Sequence, residues 1–331
     1  MPERRIGAAR VAAIGYGCME LSHAYGAPPP AEQAKRVLDR ALDLGVTHFD
    51  TAALYGFGRN ESLIGEWLQP HRQRIHLASK CGMTGVDGKR VIDGRPETLK
   101  RTLEEALERL RTDVIDLYYL HRWDKTVPIE DSIGALAEMV TAGKVRTLGL
   151  SEVSAVTLRK AHAVHPIAAV QTEYSLWTRN AEIAVLDECR RIGATFVAFS
   201  PLARGFLADG ISDPAAFVAG DIRRSMPRFQ EPHWSANARL LVEYRALARE
   251  VGCTPAQLAL AWLLAKAPHV VPIPGTTSLA HLEENLAAAG IELDAELLVR
   301  LEALINPTTV SGPRYPPATQ LEIDTEEPAA R

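Results

Sequence analysis

The chain has 331 residues, 47% of them apolar, with 37 Lys and Arg against 41 Asp and Glu, for a formal net charge of −4. That length allows one large domain or two small ones, with a sizeable core. The slightly acidic balance offers no basic footprint for nucleic acid, and no apolar run approaches the roughly 18 residues of a membrane span.

The opening Met1-Pro2-Glu3-Arg4-Arg5-Ile6-Gly7 has no apolar stretch behind its charges, so no secretory signal is expected. Cys18, Cys81, Cys189 and Cys253 are scattered and lack Cys-x-x-Cys spacing. They read as reduced thiols of a cytoplasmic protein. Cys18 and Cys81 fall near expected strand ends, where small space-filling residues are the better reading.

A β-rich run at 11–15 comes first. The helix expected over 31–44 puts Ala34, Val37, Leu38, Ala41 and Leu42 on one face and stops at Gly45. Strands at 46–50 and 75–80 follow. A helix over 96–110 then has Pro96 in its first turn and Leu99, Leu103, Ala106, Leu107 and Leu110 as its buried stripe. Next come strand 114–121, helix 129–141 ending at Gly143, strands 145–150 and 168–171, and helix 181–192 ending at Gly193. Strand 195–200, helix 237–251 ending at Gly252, strand 270–273 and helix 279–289 ending at Gly290 complete the pattern.

Eight strand-like runs separated by helices imply parallel strands joined by crossovers. The total suits an α/β chain folded as a single-domain (β/α)₈ TIM barrel of about 250 residues plus insertions. A doubly wound sheet is the alternative. Against it, Gly15-Tyr16-Gly17-Cys18-Met19-Glu20 lacks the third glycine of a dinucleotide fingerprint, and no helix follows directly. Two stretches stand outside the repeat. Residues 202–232 form a long loop after the seventh strand, a length that points to function in a compact domain. A proline-rich tail, 306–331, is expected to cross the surface of a core spanning about 10–305.

Asp50, Lys80 and His121 close strands two, three and four, and Tyr55 follows in the loop after strand two. In such a barrel, catalytic residues come from the C-terminal strand ends. Neighbouring strands lie about 4.8 Å apart, so three successive ends can meet in one cleft. A tyrosine is a poor acid, with a free pKa of about 10, and a neighbouring lysine cation lowers that value. A carboxylate keeps the lysine charged, and a histidine can orient a substrate oxygen. Such a group can protonate an oxygen while something else attacks its carbon. Taken singly, each residue has a plainer reading: Asp50 caps a turn, Lys80 is solvated, Tyr55-Gly56 is packing plus a turn, and His121 is a core histidine. The functional reading rests on their coincidence on one face. Metal-assisted hydrolysis needs clustered ligands; His162 and His165 have no carboxylate partner at a strand end, and no metal site is expected.

The blocks Phe49-Asp50-Thr51-Ala52-Ala53-Leu54-Tyr55-Gly56, Ser79-Lys80 and Leu117-Tyr118-Tyr119-Leu120-His121-Arg122 resemble signatures of the aldo-keto reductases. So do Gly149-Leu150-Ser151, Gln171-Thr172-Glu173-Tyr174-Ser175, Ser200-Pro201-Leu202 and Ile273-Pro274-Gly275-Thr276-Thr277, in family order over nearly the whole chain. Gly17-Cys18-Met19, residues 221–229 and Arg314-Tyr315-Pro316 look most like the bacterial, plant and fungal branch that includes pyridoxal reductases.

The resemblance implies NADPH-dependent reduction of aldehydes and ketones to alcohols on a (β/α)₈ barrel. Tyr55 would be the general acid, Lys80 and Asp50 would tune it, and His121 would orient the carbonyl. It also implies cofactor contacts. Ser151 and Gln171 would hold the carboxamide, with Phe199 stacked on the nicotinamide where relatives usually have tyrosine. Ser200, Leu202, Arg204 and Gly205 would hold the pyrophosphate, with Arg223 or Arg224 near a phosphate. Ile273, Gly275, Thr276, Thr277, His281, Glu284 and Asn285 would form the adenosine end. Many relatives place a lysine and an arginine at the 2′-phosphate, where this chain has hydroxyls, Gly275 and His281. Backbone N–H groups at a helix start can still hold a phosphate, so NADPH is expected and NADH is left open. Met19, Tyr25 and Trp123 are expected as substrate walls, in an apolar rim suited to small aldehydes. The expected partner is a small-molecule aldehyde or ketone, and a homo-oligomer is left open. The alternative is a nicotinamide-sensing regulatory subunit with little turnover, to be told apart by NADPH consumption with aldehydes.

Overall fold

The computed structural model describes residues 1–328. An antiparallel hairpin, β1 (Glu3–Ile6) and β2 (Ala9–Ala12), precedes eight parallel barrel strands. These are β3 (Tyr16–Gly17), β4 (His48–Asp50), β5 (His76–Cys81), β8 (Ile115–Leu120), β9 (Val145–Ser151), β10 (Ile167–Glu173), β11 (Thr195–Phe199) and β12 (Val270–Pro272). A second hairpin, β6 (Met83–Val86) and β7 (Lys89–Ile92), leaves the C-terminal end of β5. Every residue of β5 and of β8 is buried, as expected for parallel strands covered on both faces.

The sheet runs β12-β11-β10-β9-β8-β5-β4-β3. It closes where the amides of Gly15 and Gly17 donate to the carbonyls of Pro272 (3.0 Å) and Pro274 (3.1 Å). The prolines have no N–H to return, so this seam is bonded in one direction. It also requires close backbone approach. A Cβ on Gly17 would lie 2.8 Å from the Ile273 carbonyl oxygen, and one on Gly275 would lie 2.7 Å from that of Gly17.

The helices are α1 (Ala31–Asp43), α2 (Arg59–Leu68), α3 (Pro96–Leu110), α4 (Ile129–Thr141), α5 (Ala155–Val164), α6 (Val185–Ile192), α7 (His233–Ala238), α8 (Leu240–Val251), α9 (Pro255–Lys266), α10 (Leu279–Ala287), α11 (Ala295–Leu304) and α12 (Pro317–Gln320). Helices α3 and α4 match their expected ranges, because each presents a clear apolar stripe. Helix α9 is not among those expected. It is buried on nearly every side between the barrel and its neighbours, so it has no polar face to mark a period, although Thr254 and Gln257 form a capping box at its start. Helices α2, α5 and α11 also lie outside the expected set.

The first strand differs from expectation. Val11 belongs to β2, whose partner is β1, and the barrel begins at Tyr16. Gly7, at φ +56°, permits the tight turn between β1 and β2. The hairpin plugs the barrel floor, where Ile6 and Val11 join Ala78, Leu117, Tyr119, Ala169, Val197 and Ile273 in the interior cluster. The tail after α11 also differs. Its backbone runs along the outside, but Arg314, Tyr315, Ile323 and Thr325 are buried against the barrel.

Candidate active site

A cavity of about 570 Å³ opens at the C-terminal ends of the barrel strands. Its floor holds Asp50 from the end of β4 and is reached by Tyr55 from the following loop. Lys80 lies beneath, fully buried in β5, because the pleat turns Lys80 inward opposite Tyr119 of β8. The Lys80 ammonium pairs with Asp50 and donates to the Thr51 carbonyl (2.9 Å) and the Tyr55 hydroxyl (3.2 Å). Gln171, from β10 on the far side of the barrel, donates to the other Asp50 oxygen at 2.7 Å. His121 sits edge-on to Tyr55, with ring centroids 6.0 Å apart at 87°. The structure therefore brings Asp50, Tyr55, Lys80 and His121 together at one end of the cavity.

Burial acts against the charge on Lys80, but Asp50 and Tyr55 outweigh it and hold the ammonium above its ordinary pKa. The outcome for Tyr55 differs from the sequence expectation. Burial of the phenol outweighs the pull of Lys80, and the Tyr55 pKa lies above its ordinary value. The hydroxyl is thus protonated at neutral pH, with Lys80 placed to stabilise the phenolate when a proton leaves. His121 is held well below the usual histidine range by burial, then by Arg122, Lys80 and Arg90, so its ring is neutral. Its Nδ1 is buried with no partner among the described residues.

The cavity extends beyond these four residues as a cleft. Ser151 and Phe199 line it, as does Gln171 where it meets Asp50. Ser200, Leu202, Arg204, Gly205 and Arg223 line the side formed by the long loop, Ile273, Gly275 and Thr276 line the seam beside Gly17, and His281, Glu284 and Asn285 line it from α10. The Asn285 Oδ1 is buried there with no partner among the described residues. The long loop is pinned across the cleft by Ile222, whose amide donates to the Ala24 carbonyl at 2.9 Å. Arg204 and Arg223 are already engaged: Arg204 grips Glu173 with two 2.6 Å bonds, and Arg223 pairs with Asp221 at 2.6 Å.

Three expected residues do not reach the cavity. Trp123 donates its indole N–H to the Val127 carbonyl (2.9 Å) and packs on the outer core instead of forming a wall. Arg224 is exposed, with its guanidinium toward the Phe217 carbonyl, because the short helical turn at 222–225 points Arg223 and Arg224 in different directions. Thr277 faces away, its carbonyl accepting from Gln33 at 3.1 Å. Met19 lines the cavity, as does Tyr25, which lies against the Arg223 guanidinium, 4.8 Å from its ring centroid. Cys18 and Cys81 are buried and away from the cavity.

Other lining residues were not anticipated. His23 stacks on Tyr55 at 6.4 Å between centroids, and Arg90, Arg122 and Glu20 also face the cavity. Burial pushes the Glu20 carboxyl up to about 7 against the opposing pull of Arg223. Arg122 could have been found from its place immediately after a strand-end histidine. Arg90 could not, because only the β6–β7 hairpin carries it back over the barrel mouth.

A closed eight-stranded barrel with a cavity of this volume at its C-terminal face defines an enzyme or binding protein for a small molecule or cofactor. The family model for the aldo/keto reductase family matches residues 13–306. An NADP(+) aldo-keto reductase, yakc, of Schizosaccharomyces pombe is 41% identical over 99% of this chain and 98% of its own length. The aldo-keto reductase str7 of Strobilurus tenacellus is 40% identical with the same coverage. Among solved structures, a glycerol dehydrogenase from Gluconobacter oxydans superposes with a TM-score of 0.85 at 27% identity, covering 95% of this chain and 98% of that one. An aldo-keto reductase from Klebsiella pneumoniae in complex with NADPH gives 0.73 at 27% identity, covering 93% and 96%. The chain belongs to the aldo/keto reductase family and is an oxidoreductase.

Proposed function

We propose that this protein reduces aldehydes and ketones to alcohols with NADPH as hydride donor, and that Tyr55 is the general acid. One observation carries the reading. The Tyr55 hydroxyl, at the floor of an open cavity, contacts a fully buried lysine whose charge is held by Asp50.

The residues present fit the cofactor. The partnerless Asn285 oxygen on α10 calls for an N–H donor such as an adenine amino group supplies. The Ser278-capped start of α10 offers backbone N–H groups for a phosphate. Ser151 and Gln171 would hold the carboxamide, Phe199 the face of the nicotinamide ring, and Ser200, Leu202 and Gly205 the pyrophosphate. NADPH, when bound, supplies the hydride that reaches the carbonyl carbon.

The chain's own part is placement and proton delivery. The neutral His121 ring and the Tyr55 hydroxyl converge on the position of the carbonyl oxygen, and Tyr55 gives up its proton as charge builds there. Lys80, already in contact, stabilises the phenolate formed at that moment. Because burial keeps the phenol protonated beforehand, the lysine's benefit is realised during reaction, where it accelerates turnover. NADPH consumption with a panel of aldehydes tests the proposal, together with alcohol analysis. Tight NADPH binding with no turnover of any carbonyl compound would overturn it in favour of nicotinamide sensing.

A further inference from the structure

Around Tyr55 the charged groups are cationic apart from Asp50. The charges acting on His23 are those of Arg59 and Arg90, and those acting on His121 are Arg122, Lys80 and Arg90, with no carboxylate in either set. Asp50 lies below, engaged with Lys80 and Gln171. The other acidic lining groups sit elsewhere in the cleft: Glu20 lies against Gly275, and Glu284 belongs to α10.

Two arginines line this end, and they differ. Arg90 has a counter-ion in Glu322 of the tail, at 2.6 Å. Arg122 does not. Its Nη1 donates to the His121 carbonyl (2.6 Å) and the Ser151 hydroxyl (3.2 Å), both uncharged. Asp124, two residues on, accepts instead from Gly94 and Thr126, and the buried Glu152, although close enough to feel the Arg122 charge, is bonded to Arg314 and Thr325. The Nε and Nη2 of Arg122 have no acceptor among the described residues. That edge of the guanidinium belongs to a half-buried side chain lining the cavity. Partly buried cations with no carboxylate in direct contact are costly and uncommon unless a ligand supplies one. Two parallel N–H groups on one planar edge match the two oxygens of a carboxylate.

We propose that the free edge of Arg122 binds a carboxylate carried by the substrate, so that the preferred substrates are aldehydes bearing an acid group. The proposal rests on the carbonyl-reductase reading above and adds a specificity to it. Arg122 follows His121 directly, so an anion held there keeps the rest of a short substrate within reach of Tyr55. Trp123, expected as a wall, does not reach the cavity, so this charged edge stands among the apolar side chains of Met19, Leu54 and Met83.

The test compares para-formylbenzoate with its methyl ester, two aldehydes of matched shape and different charge, under saturating NADPH. The wild-type kcat/KM for the acid should exceed that for the ester by roughly tenfold or more, as a charge-assisted bidentate contact allows. Arg122→Met should bring the ratio to about one, and Arg122→Lys should restore part of it. If Arg122→Met fails to fold, the wild type still decides. The KM of the acid should climb several-fold from low to high salt while that of the ester stays level, since charge attraction is screened. A wild-type ratio of one or less with good turnover of the ester would overturn the acid-binding role and leave the carbonyl-reductase reading standing. Equal salt responses, or a ratio unchanged in Arg122→Met, would overturn it too. No turnover of either aldehyde would instead overturn the underlying function. Preference for para-formylphenyl phosphate over para-formylbenzoate would overturn the assignment to a carboxylate.

Discussion

Arg314, in the tail beyond the last long helix, donates from its Nε to Glu173 at the end of β10, 2.9 Å away, with both side chains almost wholly buried. The same guanidinium pairs with Glu152 at the end of β9, and Glu173 is gripped in turn by Arg204 of the long loop. Two strand ends that flank the cleft are thereby tied to two segments outside the barrel repeat. Arg314→Met would leave Glu152 without its cationic partner in a buried site. Breaking such a pair costs about 3–5 kcal/mol, to be measured by denaturant unfolding. The tail should also become sensitive to limited proteolysis. An unaltered unfolding midpoint would show that the tail docks through its apolar residues alone.

Tyr55→Phe removes one hydroxyl from the cavity floor and no packing volume. Carbonyl reduction should fall by at least the 10²–10⁴ typical of a lost general acid, with NADPH affinity nearly unaltered by fluorescence titration. Wild-type turnover in this variant would end the proton-donor assignment.

Lys80→Met leaves Asp50 buried with only Gln171 as a partner. Turnover should collapse and stability should drop by about 3–5 kcal/mol. The double variant Lys80→Met, Asp50→Asn should recover much of the stability and none of the activity. That split would separate the fold-supporting role of the ion pair from its role at the phenol.

At the barrel's other end, His48 and His76 face each other with their Nδ1 atoms 3.0 Å apart. Burial holds the His48 ring at about 4, and burial with the neighbouring His48 depresses His76 further. The folded-state values lie below the unfolded value of about 6.5, so the unfolded chain binds more protons between them. Stability should be complete above about pH 6.5 and fall as pH drops toward 4, by up to about 3 kcal/mol for His48 alone. His76→Gln keeps a hydrogen-bonding partner for His48 and should flatten this slope in urea melts across the range. An identical slope would place the acid sensitivity elsewhere.

Asn285→Ala should raise the NADPH dissociation constant about tenfold while leaving kcat nearly level, because the side chain lines the cavity from α10 and not from the loop that carries Tyr55. NADPH should also bind more tightly than NADH. Equal constants would mean that the hydroxyls and backbone N–H groups near Thr276 and Ser278 do not read the 2′-phosphate.

Strand-end chemistry is legible in the residues themselves because it is local. Asp50, Lys80 and His121 each end a run whose apolar content marks it as a buried strand, and parallel barrels gather such ends. Helices with one apolar face are legible for the same reason, as α3 shows by starting at Pro96 and ending at Leu110. Helix α9 is not, since burial on nearly all sides erases the polar–apolar period. The β2 run reads as a first barrel strand because alternation does not say which partner a strand will choose. That choice depends on the turn at Gly7 and on the shape of the barrel floor.

The amino-acid order alone determined seven of the eight barrel strands, the helices with one apolar face and the cluster of polar residues at the strand ends, since each depends on neighbours within a few positions. Tertiary structure decided the balance of burial against the Lys80 charge at Tyr55, the exclusion of Trp123, Arg224 and Thr277 from the cavity, and the unpaired edge of Arg122. Those outcomes depend on atoms brought together from segments scores of residues apart, and solvation and pairing are properties of that assembled surrounding.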